Sequence, residues 1–415
     1  MKRRVVITGL GAVTPVGNDV QSTWQNLLNG VNGIGMITLF DTTNARVKIA
    51  AEIKNFNPEP YVDARNAAKL DRVITLGLFA AGQAYDDAQL KQATIDPYRF
   101  GTFVSSGIGG LETMWKESQV AGSKGQDRIS PYFIPNTIIN LIGGNIAIKY
   151  QAKGPNLPVV TACSAATNSM GEAFRYIRDG YLDLAFTGGS EASINPLGIG
   201  GFSVMRALHG SNDPQQASIP FDARRSGFVM GEGAGVLIFE ELNHALQRGA
   251  KIYAEVVGYS STTDAFHITA PDEEANGITQ CLKQTLQDAQ VQPSVVDYIN
   301  AHGTSTILND KIETLGIKKT FQDHAYRLNI SSTKSMTGHM LGATGAIESL
   351  VCVLALRDGK IPPTINYQVK DPLCDLNYTP NVMVARTVNY ALNINVGFGG
   401  QNAALLFKKW IGHHA

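Results

Sequence analysis

Cysteine is scarce in this chain: four residues in 415, at positions 163, 281, 352 and 374, with no CxxC pair and no zinc-ligand spacing. That excludes a disulfide framework and a structural zinc site, and it fits a reduced, cytoplasmic setting. Net charge is absent too, with 35 Lys plus Arg against 35 Asp plus Glu, so no global field points to nucleic acid or a membrane surface. No window approaches the ~18 apolar residues that a membrane span needs. Met1-Lys2-Arg3-Arg4 precedes an apolar run, but Thr8-Gly9 and Pro15 cut that run and no cleavage pattern follows, so it reads as a first strand and not a signal peptide. Low-complexity tracts are missing as well. A folded globular enzyme of two domains, or of one duplicated one, is what remains.

Glycine, by contrast, is abundant, with 42 residues clustered at the ends of apolar segments. Those segments form two sets of five predicted strands, 4–9, 100–105, 157–162, 182–189 and 235–241, then 252–260, 295–301, 327–332, 389–396 and 402–408. Most are short continuous apolar runs, as in strands covered on both faces. Helical periodicity separates many of them, at 19–29, 71–89, 137–149, 165–179, 274–290, 310–321 and 340–357, the last closed by Gly359 with Pro362 and Pro363 beyond. The pattern predicts a duplicated α/β unit, with an N-terminal half over 1–250 and a C-terminal half over 251–415. The stretch 190–234, rich in glycine and proline, reads as loops over a site.

The chemistry sits at the ends of predicted strands, where open α/β sheets collect it. Val159-Val160-Thr161-Ala162-Cys163-Ser164 runs from a strand into a helix, which places the Cys163 thiol at a helix N-terminus. Unsatisfied amides there favour a thiolate and can hold an oxyanion. Asn300-Ala301-His302-Gly303 ends a second strand, and Lys334-Ser335-Met336-Thr337-Gly338-His339 follows a third. A buried cysteine is often only a small core residue, but one thiol, two imidazoles and an ammonium at three such ends point to catalysis. A cysteine hydrolase needs one histidine and no lysine. Two imidazole N–H donors suit a reaction that builds an enolate on a second substrate. His209, His244, His267 and His324 lack such surroundings, and His413 and His414 belong to a terminal tail. Asp310 and Glu313 begin a helix, where acids are expected for dipole reasons. Glu348, among apolar neighbours, is expected to pair with Lys334. Gly9-Leu10-Gly11 lacks the spacing of a dinucleotide fingerprint, and Gly231-Glu232-Gly233 reads as a turn.

Taken in order, Thr161-Ala162-Cys163-Ser164, Pro220-Phe221-Asp222, Gly227–Gly233, Asn300–Thr306, Ser332–His339 and Gly397-Phe398-Gly399-Gly400 make the chain closely similar to the bacterial β-ketoacyl-[acyl-carrier-protein] synthase II family. The resemblance runs from Arg4 to Lys409. It implies a thiolase-like fold in α-β-α-β-α layers, a homodimer, and decarboxylative condensation in fatty acid elongation, with acyl and malonyl groups delivered on phosphopantetheine of an acyl carrier protein. It implies that Cys163 takes the acyl chain, that the amides of Cys163 and Phe398 form an oxyanion hole, and that His302 and His339 hold the enolate. Lys334, Glu348, Asp310 and Glu313 support them. Ile108 and Phe202 line the acyl pocket, while Phe398 and the loop at Asp264 gate it.

No cofactor or metal is expected. The family's Asn, Ser or Thr, and Phe before Gly-Phe-Gly-Gly are replaced by Ile394, Asn395 and Val396, which departs from the pattern where a monovalent cation can sit. Ile307 stands where the family has proline. A thiolase would need a second cysteine near the C-terminus, and a non-catalytic chain-length partner would lack Cys163. A polyketide-type ketosynthase shares every motif and is the alternative reading. Carrier docking onto an uncharged protein needs a local basic patch. Arg65 and Lys69, four apart in a stretch that can be helical, Lys124 and Arg128, and Arg206 near the entrance are the candidates.

Overall fold

A computed structural model describes residues 2–412, so His413 and His414 lie outside the described residues. Nine strands form its main sheet: β1 (Val5–Val13), β2 (Phe100–Ser105), β3 (Leu184–Glu191), β4 (Gly233–Glu241), β5 (Ala254–Thr263), β6 (Tyr298–Asn300), β7 (Asn329–Ser331), β8 (Tyr390–Gly397) and β9 (Gln401–Lys409). Their order is β2-β3-β4-β1-β5-β9-β8-β6-β7, and three antiparallel pairs between Val5–Ile7 and Ala254–Val256 join the two halves. Read outward from that junction, each half runs first, last, fourth, second strand, so the duplication shows in topology. The third strand of the C-terminal half, β7, ends its sheet.

Its N-terminal counterpart, expected over 157–162, is extended but is not a regular strand. Thr102 N–H donates to Pro155 O at 2.9 Å and Leu157 N–H to Thr102 O at 3.0 Å, and the only bridge is at Asn156. Pro155 and Pro158 lack the donors a ladder would need.

Side chains alternate along the strands, and each face meets its own helices. Ala185, Phe239, Leu405 and Phe407 face an inner layer with α2 (Ala165–Arg178) and α5 (Thr344–Asp358). Leu184, Phe186 and Ile238 face α1 (Arg72–Asp87), while Leu392, Ala404 and Leu406 face α3 (Asn276–Asp288) and α4 (Ile307–Phe321). These contacts give the α-β-α-β-α layering of a thiolase-like fold. Helix α5 is buried on every side from Thr344 to Leu356, as a central helix must be.

Gly9 and Gly11 serve this packing, not a nucleotide: a Cβ on Gly11 would lie 1.9 Å from the Ala80 carbonyl of α1. Gly231-Glu232-Gly233 leads straight into β4 and is not the expected turn; Glu232 is buried in a two-pronged pair with Arg72 at 2.7 Å. Within 190–234, Asn195 caps a helix over Pro196–Val204 that the glycine content concealed. A further helix, Leu111–Lys124, also went unpredicted.

Candidate active site

The two inner helices bring the site together at their N-termini. Each is preceded by a short 3-10 turn, Ala162–Ser164 before α2 and Leu341–Ala343 before α5. Each turn holds a non-glycine residue at positive φ, Ala162 at 52° and Leu341 at 42°, strain that only the surrounding packing can maintain. The helix ends approach closely: a Cβ on Gly345 would lie 2.0 Å from Thr167 Oγ1. Cys163 and His339 therefore face each other because the duplicated units do.

Cys163 is locked into its turn by Ser164 Oγ–H donating to Thr161 O at 2.8 Å and Asn168 Nδ2–H donating to Thr161 Oγ1 at 2.7 Å. The end of β8 lies against it, since a Cβ on Gly397 would be 3.2 Å from the Cys163 amide nitrogen. The next residue is Phe398, so its amide and that of Cys163 belong to adjoining segments. Burial pushes the thiol up to about 12, with Lys334 pulling the other way. Desolvation thus opposes the thiolate that the helix N-terminus favours, and it outweighs the Lys334 charge.

His302 follows β6, held by Glu313 of α4, which accepts from the backbone N–H of His302 at 2.6 Å and of Gly303 at 2.7 Å. Asp310, one turn earlier, accepts from Phe221 N–H at 2.8 Å, with Arg225 at 3.6 Å. Both acids are buried and brace the turns around His302; only Asp310 lies in the first turn of α4, so the dipole expectation does not extend to Glu313. Burial pushes Glu313 up to about 8. His339 has Nδ1 3.1 Å from Thr344 Oγ1, and its ring meets that of His302 edge-on at 5.2 Å. Burial first, and then the Lys334 charge, hold both imidazoles well below their ordinary value. They are neutral at physiological pH. Lys334 pairs with Glu348, each 1% exposed, as the sequence predicted. Asn395 Nδ2–H donates to the other Glu348 oxygen at 2.7 Å.

Cys163, His302, His339 and Phe398 line one cavity of about 350 Å³, together with Phe202, Phe228 and Arg206. Phe398 is 37% exposed at its mouth, its ring 6.2 Å from Phe202. Asp264 takes Asn402 Nδ2–H at 2.6 Å, and its own N–H donates to Gly400 O at 2.9 Å, so that loop is tied to the Phe398 segment. Ile108 packs with Cys163 and Phe202 in an apolar cluster beside the thiol.

Of the basic candidates, only Arg206 stands at this cavity. Lys69 lies in a separate groove, and Lys124 and Arg128 share a third. Arg65 and Lys69 do not share a helical face: the helix spans only Ala64–Ala67, because Asp71 must turn out to cap α1.

Ile394 itself offers no ligand to a monovalent cation. The Glu348 oxygens are taken by Lys334 and Asn395, those of Glu313 by two amides, and Ile394 is a hydrocarbon in the outer core. Asn300 Oδ1 and Asn393 Oδ1 are buried without a hydrogen-bond partner.

One residue of the site escaped the sequence reading. Glu191, at the end of β3, is fully buried and accepts from Ser106 Oγ at 3.1 Å, Ser193 Oγ at 2.8 Å, Gly107 N–H at 2.8 Å and Gly342 N–H at 3.0 Å. It joins the turn carrying Ile108 to the turn after His339. Its sequence context, an acid ending an apolar strand after two glycines, was the available signal.

Residues 2–245 match the family model described as the N-terminal domain of β-ketoacyl synthase, and residues 253–368 match its C-terminal domain. The chain is 47% identical over 410 residues to the 3-oxoacyl-[acyl-carrier-protein] synthase 2 of a Synechocystis species, covering 99% of both chains. It is 48% identical over 408 residues to the protein of the same name from Staphylococcus aureus strain COL, covering 98% of this chain and 99% of that one. A solved structure of a type II PKS acyl-carrier protein in complex with its ketosynthase bound to the hexaketide is similar at 34% identity and a TM-score of 0.90, over 99% of this chain and 100% of that one. With a nucleophile and two imidazoles brought together by a duplicated fold, and with both domain models matched in order, the chain belongs to the β-ketoacyl synthase family.

Proposed function

We propose that the protein is a 3-oxoacyl-[acyl-carrier-protein] synthase of the type 2 class, extending acyl chains by decarboxylative condensation with malonyl-carrier protein. The observation that carries the reading is the single cavity in which Cys163 meets two neutral imidazoles. The acyl C–S bond to the carrier breaks, a new one forms to Cys163, and the thiol proton leaves with the carrier thiol. The amides of Cys163 and Phe398 stabilise the oxyanion of that step. Malonyl-carrier protein then loses carbon dioxide, leaving the electron pair of the broken C–C bond as an enolate. N–H groups of His302 and His339 hold its oxygen. The carbanion attacks the acyl carbonyl, the Cys163 C–S bond breaks, and the thiolate takes up a proton from solvent water, the one proton the net condensation consumes. Burial, with the Lys334 charge behind it, disfavours protonation of both imidazoles, and Glu348 reaches the His302 side through Asn395.

Ile108 and Phe202 shape the acyl pocket, while Phe398 and the Asp264 loop gate it. Arg206 at the cavity, with Lys69 in a second groove, Lys124 and Arg128 in a third, and Arg65 beside the Ala64–Ala67 turn, offers docking charges for an acidic carrier protein. A homodimer is supported by exposed apolar side chains beyond the β2 edge, Ile148 at 73%, Val160 at 51% and Leu157 at 42%. Free cysteines and the absence, among the described residues, of a helix long and apolar enough to cross a membrane accord with a cytoplasmic enzyme. Polyketide-type condensation uses the same groups. The higher identity to fatty-acid-type relatives favours elongation. Purified protein given acyl- and malonyl-carrier protein is expected to release carbon dioxide and form a product two carbons longer. Release of free acid instead would mean a hydrolase.

A further inference from the structure

Asn395 is fully buried on β8, and its amide is committed on both sides. Its Oδ1 accepts from the Thr167 hydroxyl and from Asn393 Nδ2–H at 3.1 Å. Its Nδ2 donates to Glu348 Oε2 at 2.7 Å and stands 3.4 Å from His302 Nδ1. The reverse amide orientation would set a carbonyl oxygen against the Glu348 carboxylate and an NH2 against Asn393 Nδ2, so the hydrogen-bond network fixes which end faces the imidazole. An NH2 group can only donate. If His302 carried its proton on Nδ1, two donors would face each other across 3.4 Å in a buried site. Among the described residues the His302 ring has no other hydrogen-bond partner. His339 differs, because its Nδ1 meets the Thr344 hydroxyl, which can donate or accept.

We propose that Asn395 is a positioning residue that holds His302 in the Nε2–H tautomer, leaving that N–H as the donor toward the substrate cavity, and couples this imidazole to the Lys334–Glu348 pair. The inference rests on the enolate-holding role proposed for His302. A wrong tautomer presents a lone pair where the developing oxyanion needs a proton.

The test is the nitrogen NMR spectrum of ¹⁵N-histidine-labelled protein, with the His302→Ala variant assigning the His302 signals. Wild type is expected to show His302 protonated at Nε2. Asn395→Asp, which puts an acceptor opposite Nδ1, is expected to move the proton there. It should lower carbon dioxide release about a hundred-fold, the loss of one oxyanion donor, while acylation of Cys163 is kept. Asn395→Leu, similar in volume but without the donor, is expected to give mixed tautomers and an intermediate loss. A wild-type Nδ1–H tautomer overturns the proposal without any variant. Equal losses of acylation and carbon dioxide release in both variants, with the tautomer unmoved, overturn it in favour of simple packing. If wild type releases no carbon dioxide at all, the functional reading fails, and the tautomer readout still decides the role of Asn395.

Discussion

Replacing Glu191 with Ala removes an acceptor shared by two loops of the site. The amides of Gly107 and Gly342, 2.8 and 3.0 Å from the carboxylate, lose their partner. A buried polar group left unpaired costs ~1–3 kcal/mol, so the two amides together cost ~2–6 kcal/mol before any cavity contribution. That is a large part of the ~5–15 kcal/mol that holds a typical domain folded. Glu191→Gln is the informative companion. Its amide oxygen can accept from both backbone N–H groups, and its NH2 can donate to the Ser106 and Ser193 hydroxyls, which rotate to accept. It is expected to lie within ~1.5 kcal/mol of wild type. Urea unfolding at unchanged m-value reads both variants. Glu191 also pushes the Cys163 thiol up, after burial, so removing its charge lowers the thiol's value. The alkaline rise of iodoacetamide modification at Cys163 is therefore expected at lower pH in Glu191→Gln. An Ala variant within ~1 kcal/mol of wild type, or a Gln variant as unstable as Ala, would refute the reasoning.

Lys334→Met alone leaves a buried carboxylate unpaired and is expected to cost ~3–5 kcal/mol, whereas Lys334→Met with Glu348→Leu recovers most of that loss; denaturation of the four proteins of the cycle measures the coupling. Ile108→Phe fills space beside the thiol and is expected to shorten the longest primer accepted while sparing short ones, read from product lengths. Charge reversal at Arg206 and Lys69 is expected to raise KM and weaken its salt dependence for carrier-linked substrates, with pantetheine substrates little changed; equal losses on both would place these residues in the fold.

Much of this was legible in the sequence because period and motif coincide. The β2 strand at Phe100–Ser105 matches its prediction to the residue, as continuous apolar runs in a doubly covered sheet allow. His302 and the Lys334–His339 segment were legible because each follows a strand end with glycine nearby, Cys163 because it opens a helical period, and Glu348 because it is an acid among apolar neighbours. What escaped was decided in three dimensions. The 157–162 edge fails as a strand through its prolines. Leu111–Lys124 has no fully buried residue, so its apolar stripe is weak. The charge state of Cys163 turned on burial, which no spacing reveals. Glu191 and Asn395 matter because residues distant in sequence converge on them. Lys69 left its predicted face because capping α1 took precedence over extending a four-residue helix.

The central claim is a division of labour: Cys163 carries the acyl chain, and the histidines handle the malonyl half. Mass spectrometry of acyl-enzyme formation, run beside carbon dioxide release on Cys163→Ala and His302→Ala, tests it most directly. The account predicts that Cys163→Ala gains no acyl mass yet still releases carbon dioxide. His302→Ala is predicted to gain the acyl mass but release carbon dioxide about a hundred-fold more slowly. An acylated Cys163→Ala protein, or a His302→Ala protein that decarboxylates normally but cannot be acylated, would contradict it.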